Sequence, residues 1–147
     1  MVRVYLDMCC LKRPFDDSSE QRVQLESEAV LAILSAAGTE VEIVHAPAHD
    51  LENSRNPLPA RAARVQEWLE AAPLTQLPER ELAERTADLV KLGFKGFDAF
   101  HIASAEASGA RALATCDDQF LATARRHAAV LQVKVQDPVG LAREILK

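Results

Sequence analysis

Three aspartates stand where an α/β chain keeps its chemistry. Asp7 follows the β-branched and aromatic run Val2 to Leu6, and Asp117 follows the run Arg111 to Thr115. Asp98 sits at a helix start inside the apolar segment Phe94 to Ile102. In an open α/β sheet, ligands bind at the carboxyl ends of the strands, so three acids from distant sequence can converge on one edge. Any one of them alone is more simply a turn residue or an N-cap. An acid within an apolar run is nevertheless costly to bury unless it is paired, hydrogen-bonded or bound to a cation. Carboxylates without Cys/His ligand pairs suit the hard cations Mg²⁺ and Mn²⁺, and no spacing signals zinc. His101, three residues after Asp98 on the same helix face, is expected as a core or supporting residue rather than a ligand. Cys9 and Cys10 are expected to pack, because no partner thiol or flanking His suggests catalysis.

The elements that must position these acids alternate in type. Val2 to Leu6 predicts a buried strand, followed by an irregular stretch through Asp17. Ser18 and Gln21 offer a capping box, and Val23, Val30, Ile33, Leu34 and Ala37 then repeat at helical spacing up to Gly38. Val41 to Val44 predicts a second strand, while His49 to Glu52 is ambiguous between a short helix and a loop. Helices are expected over Ala62 to Leu69, from Pro78 at the first position to Gly93, and after Asp98 to Gly109. A short strand or connector lies at Leu74 to Leu77. Strands at Arg111 to Thr115 and Val130 to Val135 flank a helix over Phe120 to His127, and Pro138 opens a last helix through Leu146. Such alternation implies βαβ crossovers and a parallel sheet with helices on both faces.

The 147 residues suit one domain over 1–147, and 48% hydrophobic with 27% charged residues is ordinary globular composition. Lys+Arg of 17 against Asp+Glu of 22 leaves a net charge of −5, which argues against nonspecific coating of nucleic acid. It does not exclude an enzyme that cuts nucleic acid, because cations neutralise gathered carboxylates locally. Three cysteines, an odd number with two adjacent, fit a reducing cytoplasm better than a disulfide framework. No apolar run long enough to span a membrane is present.

Val4-Tyr5-Leu6-Asp7-Met8-Cys9-Cys10-Leu11-Lys12-Arg13-Pro14-Phe15-Asp16-Asp17 resembles the opening of PIN-domain proteins, in a subgroup sharing the Cys-Cys-Leu and Arg-Pro-Phe-Asp-Asp pattern. Phe97 to Ala103 resembles that family's helix-opening acid, and Leu113 to Phe120 its Thr-x-Asp motif, in the same order and spacing. The resemblance implies a three-layer α/β/α fold with a central, mainly parallel sheet. It also implies four acids at the sheet edge that bind Mg²⁺ or Mn²⁺ and hydrolyse RNA phosphodiesters. Asp7, Asp98 and Asp117 match motif acids and metal ligands. Many similar chains are VapC-like toxins, commonly homodimers held inactive by a small cognate antitoxin.

The family places a fourth acid shortly after the second strand, where Asp50 and Glu52 compete and Glu28 is a more distant option. Glu52 is expected to be the catalytic acid: Leu51-Glu52 precedes Asn56-Pro57 as in the resembling subgroup, and its longer side chain reaches farther. Lys12-Arg13 is the best candidate for holding substrate phosphate, ahead of Arg55, Arg61, Arg64 and Arg125-Arg126. A haloacid-dehalogenase-like phosphatase would need an acid where Cys9 stands, and a response-regulator receiver would need an acid pair after the first strand. A catalytically inactive PIN-like binding module is the alternative from another class.

Overall fold

The computed structural model describes residues 1–146. Four short strands, β1 (Val2–Leu6), β2 (Val41–Ile43), β3 (Ala112–Ala114) and β4 (Lys134–Gln136), form one sheet of order β2-β1-β3-β4. Every pairing is parallel, with Val4 opposite both Ile43 and Ala112. The chain runs outward from β1 to β2, then returns to β3 on the other side of β1. The strand order therefore reverses between β1 and β3, and the crevice beyond their carboxyl ends is where such sheets take ligands.

Helices cover both faces, completing three layers: α1 (Met8–Lys12), α2 (Gln21–Ser35), α3 (Pro47–Asn53), α4 (Pro59–Glu70), α5 (Glu79–Lys91), α6 (Gly96–Ala107), α7 (Asp118–Arg126) and α8 (Pro138–Ile145). The strands sort their side chains between two cores, because alternate residues point to opposite faces. Val4 and Leu6 of β1 and Ala112 and Ala114 of β3 join Val30, Ile33, Val65 and Leu141 under α2, α4 and α8. Tyr5 and Leu113 face the other way, into Leu89, Ile102 and Phe120 of α5, α6 and α7. Near-continuous apolar strands are what a parallel sheet covered on both faces requires.

Several expected boundaries shift. The stretch after β1 is helical, as α1 followed by a 3₁₀ turn at Arg13–Phe15, where an irregular loop was expected. The Ser18–Gln21 capping box does not form: α2 begins at Gln21 with Glu20 as its uncapped N-cap, so Ser18 lies too far upstream. Pro78 is the N-cap of α5 rather than its first residue. The ambiguous segment His49 to Glu52 lies within helix α3. Of Leu74 to Leu77, only Leu74 bridges, to His45. The last strand starts later than expected because Ala128–Val130 is a 3₁₀ turn. Between α5 and α6 the chain reverses at Gly93, whose φ of +111° is closed to residues with a Cβ. That reversal aims the start of α6 at the sheet edge.

Candidate active site

Asp7 is placed by its own chain geometry. It leaves β1 with extended backbone and caps α1, its Oδ1 accepting from the Met8 amide at 2.8 Å. Its Oδ2 accepts from the Thr115 hydroxyl at 2.9 Å and the Cys9 thiol at 3.2 Å, so β1 and β3 are tied at this carboxylate. Thr115 Oγ1 also accepts from the Asp117 amide at 3.2 Å. Asp7 is only 5% exposed. Burial, and next the neighbouring Cys9, push its carboxyl well above the usual range, with His101 opposing.

Glu52 arrives from α3 and His101 from α6. His101 Nε2 lies 2.6 Å from Glu52 Oε1 and 3.7 Å from Asp7 Oδ1. Its Nδ1 lies 2.6 Å from the Tyr5 hydroxyl, and both Tyr5 and His101 are fully buried. Beneath them His49 stacks on Tyr5 with centroids 4.3 Å apart and reaches Leu6 O with Nε2 at 2.8 Å. Burial lowers the His49 pKa to about 3, so this ring stays neutral. One ligand atom from each of Asp7, Glu52 and His101 lies within 4.8 Å of the others.

Asp98, in the first turn of α6, and Asp117, N-cap of α7, flank that trio without joining it. Asp117 Oδ1 accepts from the Phe120 amide at 3.0 Å. The Asp98 carboxyl is raised to about 7, by burial first and then by the charges of Asp117, Cys9 and Glu52, with Lys95 partly offsetting. Asp50 turns away: its Oδ1 meets His45 Nε2 at 2.7 Å and Gln66 Nε2 at 2.9 Å. Glu28 lies on α2, apart from this edge, with Gln24 Nε2 3.4 Å from its Oε1.

The expected cations divide differently from the sequence ranking. Arg13 is taken up by Glu26 at 3.0 Å and Asp16 at 3.1 Å, and Arg61 by Phe15 O at 2.9 Å, so both brace the fold. Arg55 is exposed and lies over the Phe97 ring at 5.3 Å, one residue from Asp98. Lys95, not among the expected cations, stands just before α6 and acts on Asp98. Among the described residues, none of Asp7, Glu52, Asp98 or Asp117 forms an ion pair with a lysine or arginine.

The family model of the PIN domain matches residues 4–126. The chain belongs to the PIN-domain family. The match spans β1 through α7, and so includes all four acids. No curated protein and no solved structure matches the chain significantly. PIN domains are usually nucleases, and the cluster of Asp7, Glu52 and His101 is a possible metal-binding site. Among the described residues, no helix of this PIN domain is long and apolar enough to cross a membrane.

Proposed function

We propose that the protein is a divalent-metal-dependent endoribonuclease whose site is built from Asp7, Glu52, Asp98 and Asp117. The observation that carries this reading is the gathering of Asp7, Glu52 and His101 at the crevice between β1 and β3, within a PIN domain. The donor set fits a hard cation: it is rich in carboxylate oxygen and partly buried, and burial together with the charge of Glu52 raises the Asp7 and Asp98 carboxyls where a cation would relieve the repulsion. Asp7, Asp98 and Asp117 would hold Mg²⁺ or Mn²⁺, with Glu52 as the fourth acid. When bound, such an ion polarises the phosphate and supplies a water of lowered pKa. Thr115 and the Met8 amide fix the rotamer of Asp7, and His101 fixes Glu52. Lys95 and Arg55 are positioned to meet the phosphates of an RNA strand laid along the rim.

The resemblance of the opening motif supports the finer reading, a VapC-like toxin of a VapBC-type pair, homodimeric and restrained by a small antitoxin in the cytoplasm. A mixed RNA pool incubated with Mg²⁺ or Mn²⁺ should be cleaved, and EDTA or Asp7→Asn should abolish cleavage with the fold intact by circular dichroism. Metal-independent cleavage, or full activity in Asp7→Asn, would sink the mechanism. A small open reading frame upstream whose product copurifies with this chain and silences it would establish the toxin role.

A further inference from the structure

The three cysteines form a cluster that the acidic site leaves unused. Cys9 and Cys10 are neighbours on α1, and Cys116 follows β3, so the same crossing of β1 and β3 gathers them from 106 residues apart. All three are free thiols, and their sulfurs lie within 4.8 Å of one another. Cys10 Sγ and Cys116 Sγ are 3.7 Å apart. Two sulfurs sharing one tetrahedral cation at about 2.3 Å would sit roughly 3.8 Å from each other. Polar and charged groups stand around the sulfurs. The Cys116 amide donates to Cys9 Sγ at 3.1 Å, the Thr115 hydroxyl lies 3.1 Å from the same sulfur, and the positive charge of Arg13 acts on Cys116. Three thiolates on a divalent cation carry one net negative charge, which Arg13 faces.

We propose that Cys9, Cys10 and Cys116 form a binding site for one soft d¹⁰ cation, Zn²⁺ or Cu⁺, separate from the carboxylates that suit a hard cation. On binding, each thiol releases its proton to solvent and its sulfur donates a lone pair to the cation, with no change of oxidation state. Sequence spacing hides this site because only the sheet brings Cys116 to α1. Cys10 and Cys116 are buried, and half-buried Cys9 opens the way in from the acidic edge. Cys9 also links the two sites, since its thiol donates to Asp7 Oδ2 at 3.2 Å. A cation on that sulfur removes the hydrogen bond from Asp7.

The test is a titration of the reduced, EDTA-treated full chain with Cd²⁺ alone, followed in the ultraviolet sulfur-to-metal charge-transfer band, which carboxylates do not give. The band should saturate at one Cd²⁺ per chain. Zn²⁺ and Cu⁺, added in separate arms, should each compete for the site and weaken the apparent affinity for Cd²⁺. Cys10→Ala and Cys116→Ala should each lose affinity by at least about tenfold, a difference of roughly 1.4 kcal/mol, while Asp98→Asn keeps the band. Should either cysteine variant melt too early to assay, the unaltered chain decides: one equivalent of Zn²⁺ should protect its thiols from alkylation. Absence of the band, a band undiminished in a folded Cys10→Ala, or alkylation unaffected by Zn²⁺ would each overturn the proposal. None of these readouts needs RNA, so they succeed or fail independently of the nuclease reading.

Discussion

Replacing Asp98 with Asn in the metal-free chain should raise stability more at pH 8 than at pH 5. Asp98 titrates near 7 in the folded protein against an ordinary 3.8, so between these values the folded state holds a proton that the unfolded state has lost. Stability from this group is complete below pH 4 and is lost as pH rises through 7. Roughly two pH units of that window fall between pH 5 and 7, or about 2.7 kcal/mol at 1.36 kcal/mol per unit. Asp98 is partly exposed, and solvent screening cuts this by about half, to roughly 1.3 kcal/mol. At about 2–4 °C per kcal/mol for a domain of this size, the Tm difference between variant and wild type should grow by about 3–5 °C from pH 5 to pH 8. Thermal unfolding in EDTA at both pH values measures it. His49 works with the opposite sign: its folded pKa of about 3 lies below an ordinary 6.5, so its contribution is lost as pH falls through that range. It is common to both proteins and cancels in the comparison. An equal Tm difference at pH 5 and pH 8 would refute the claim that neighbouring acids and burial hold Asp98 high.

Mg²⁺ or Mn²⁺ at one hundred times its Kd should stabilise the wild type by about 2.7 kcal/mol, and a melting curve insensitive to millimolar metal would count against the carboxylate site. Glu52→Gln should lower RNA turnover by about tenfold or more, whereas Asp50→Asn should leave turnover nearly unchanged and cost about 1 kcal/mol in urea unfolding, because Asp50 accepts from His45 and Gln66 instead. The reverse ranking would move the fourth acid to Asp50. Glu26→Ala should destabilise by about 2 kcal/mol in the same assay, since Glu26 is buried and its loss leaves Arg13 with Asp16 alone; a change under about 1 kcal/mol would show that Asp16 and solvent already serve Arg13.

The architecture was legible because its signals are local. The apolar runs at Val2–Leu6, Val41–Ile43 and Ala112–Ala114 announce buried parallel strands, and the periodicity of Val23, Val30 and Ile33 announces α2. What stayed hidden has a physical cause in each case. Helix α1 spans five residues, barely more than one turn, so it shows no period, and its only signal is Asp7 at the N-cap. Arg13 looked free for phosphate because its partner Glu26 lies in the next helix, on a face where a buried acid is unusual. The positions of Asp7 and Asp117 after strands could be read directly. The surroundings of His101 could not, because Tyr5 lies 96 residues away and Glu52 49 residues away, and only the folded sheet joins them.

That junction decides what His101 does. A carboxylate oxygen 2.6 Å from Nε2 needs a proton between the two atoms, because two facing lone pairs would repel at that distance. Nε2 therefore carries the hydrogen and donates to Glu52, while Nδ1 pairs with the Tyr5 hydroxyl at 2.6 Å. In this tautomer Nε2 has no lone pair for a cation. His101 is then a positioning residue that holds Glu52 beside Asp7, and Tyr5 keeps its ring in register from beneath the sheet edge. The oxygens of the acids are left as the donors that face the crevice, which is the composition a hard cation prefers.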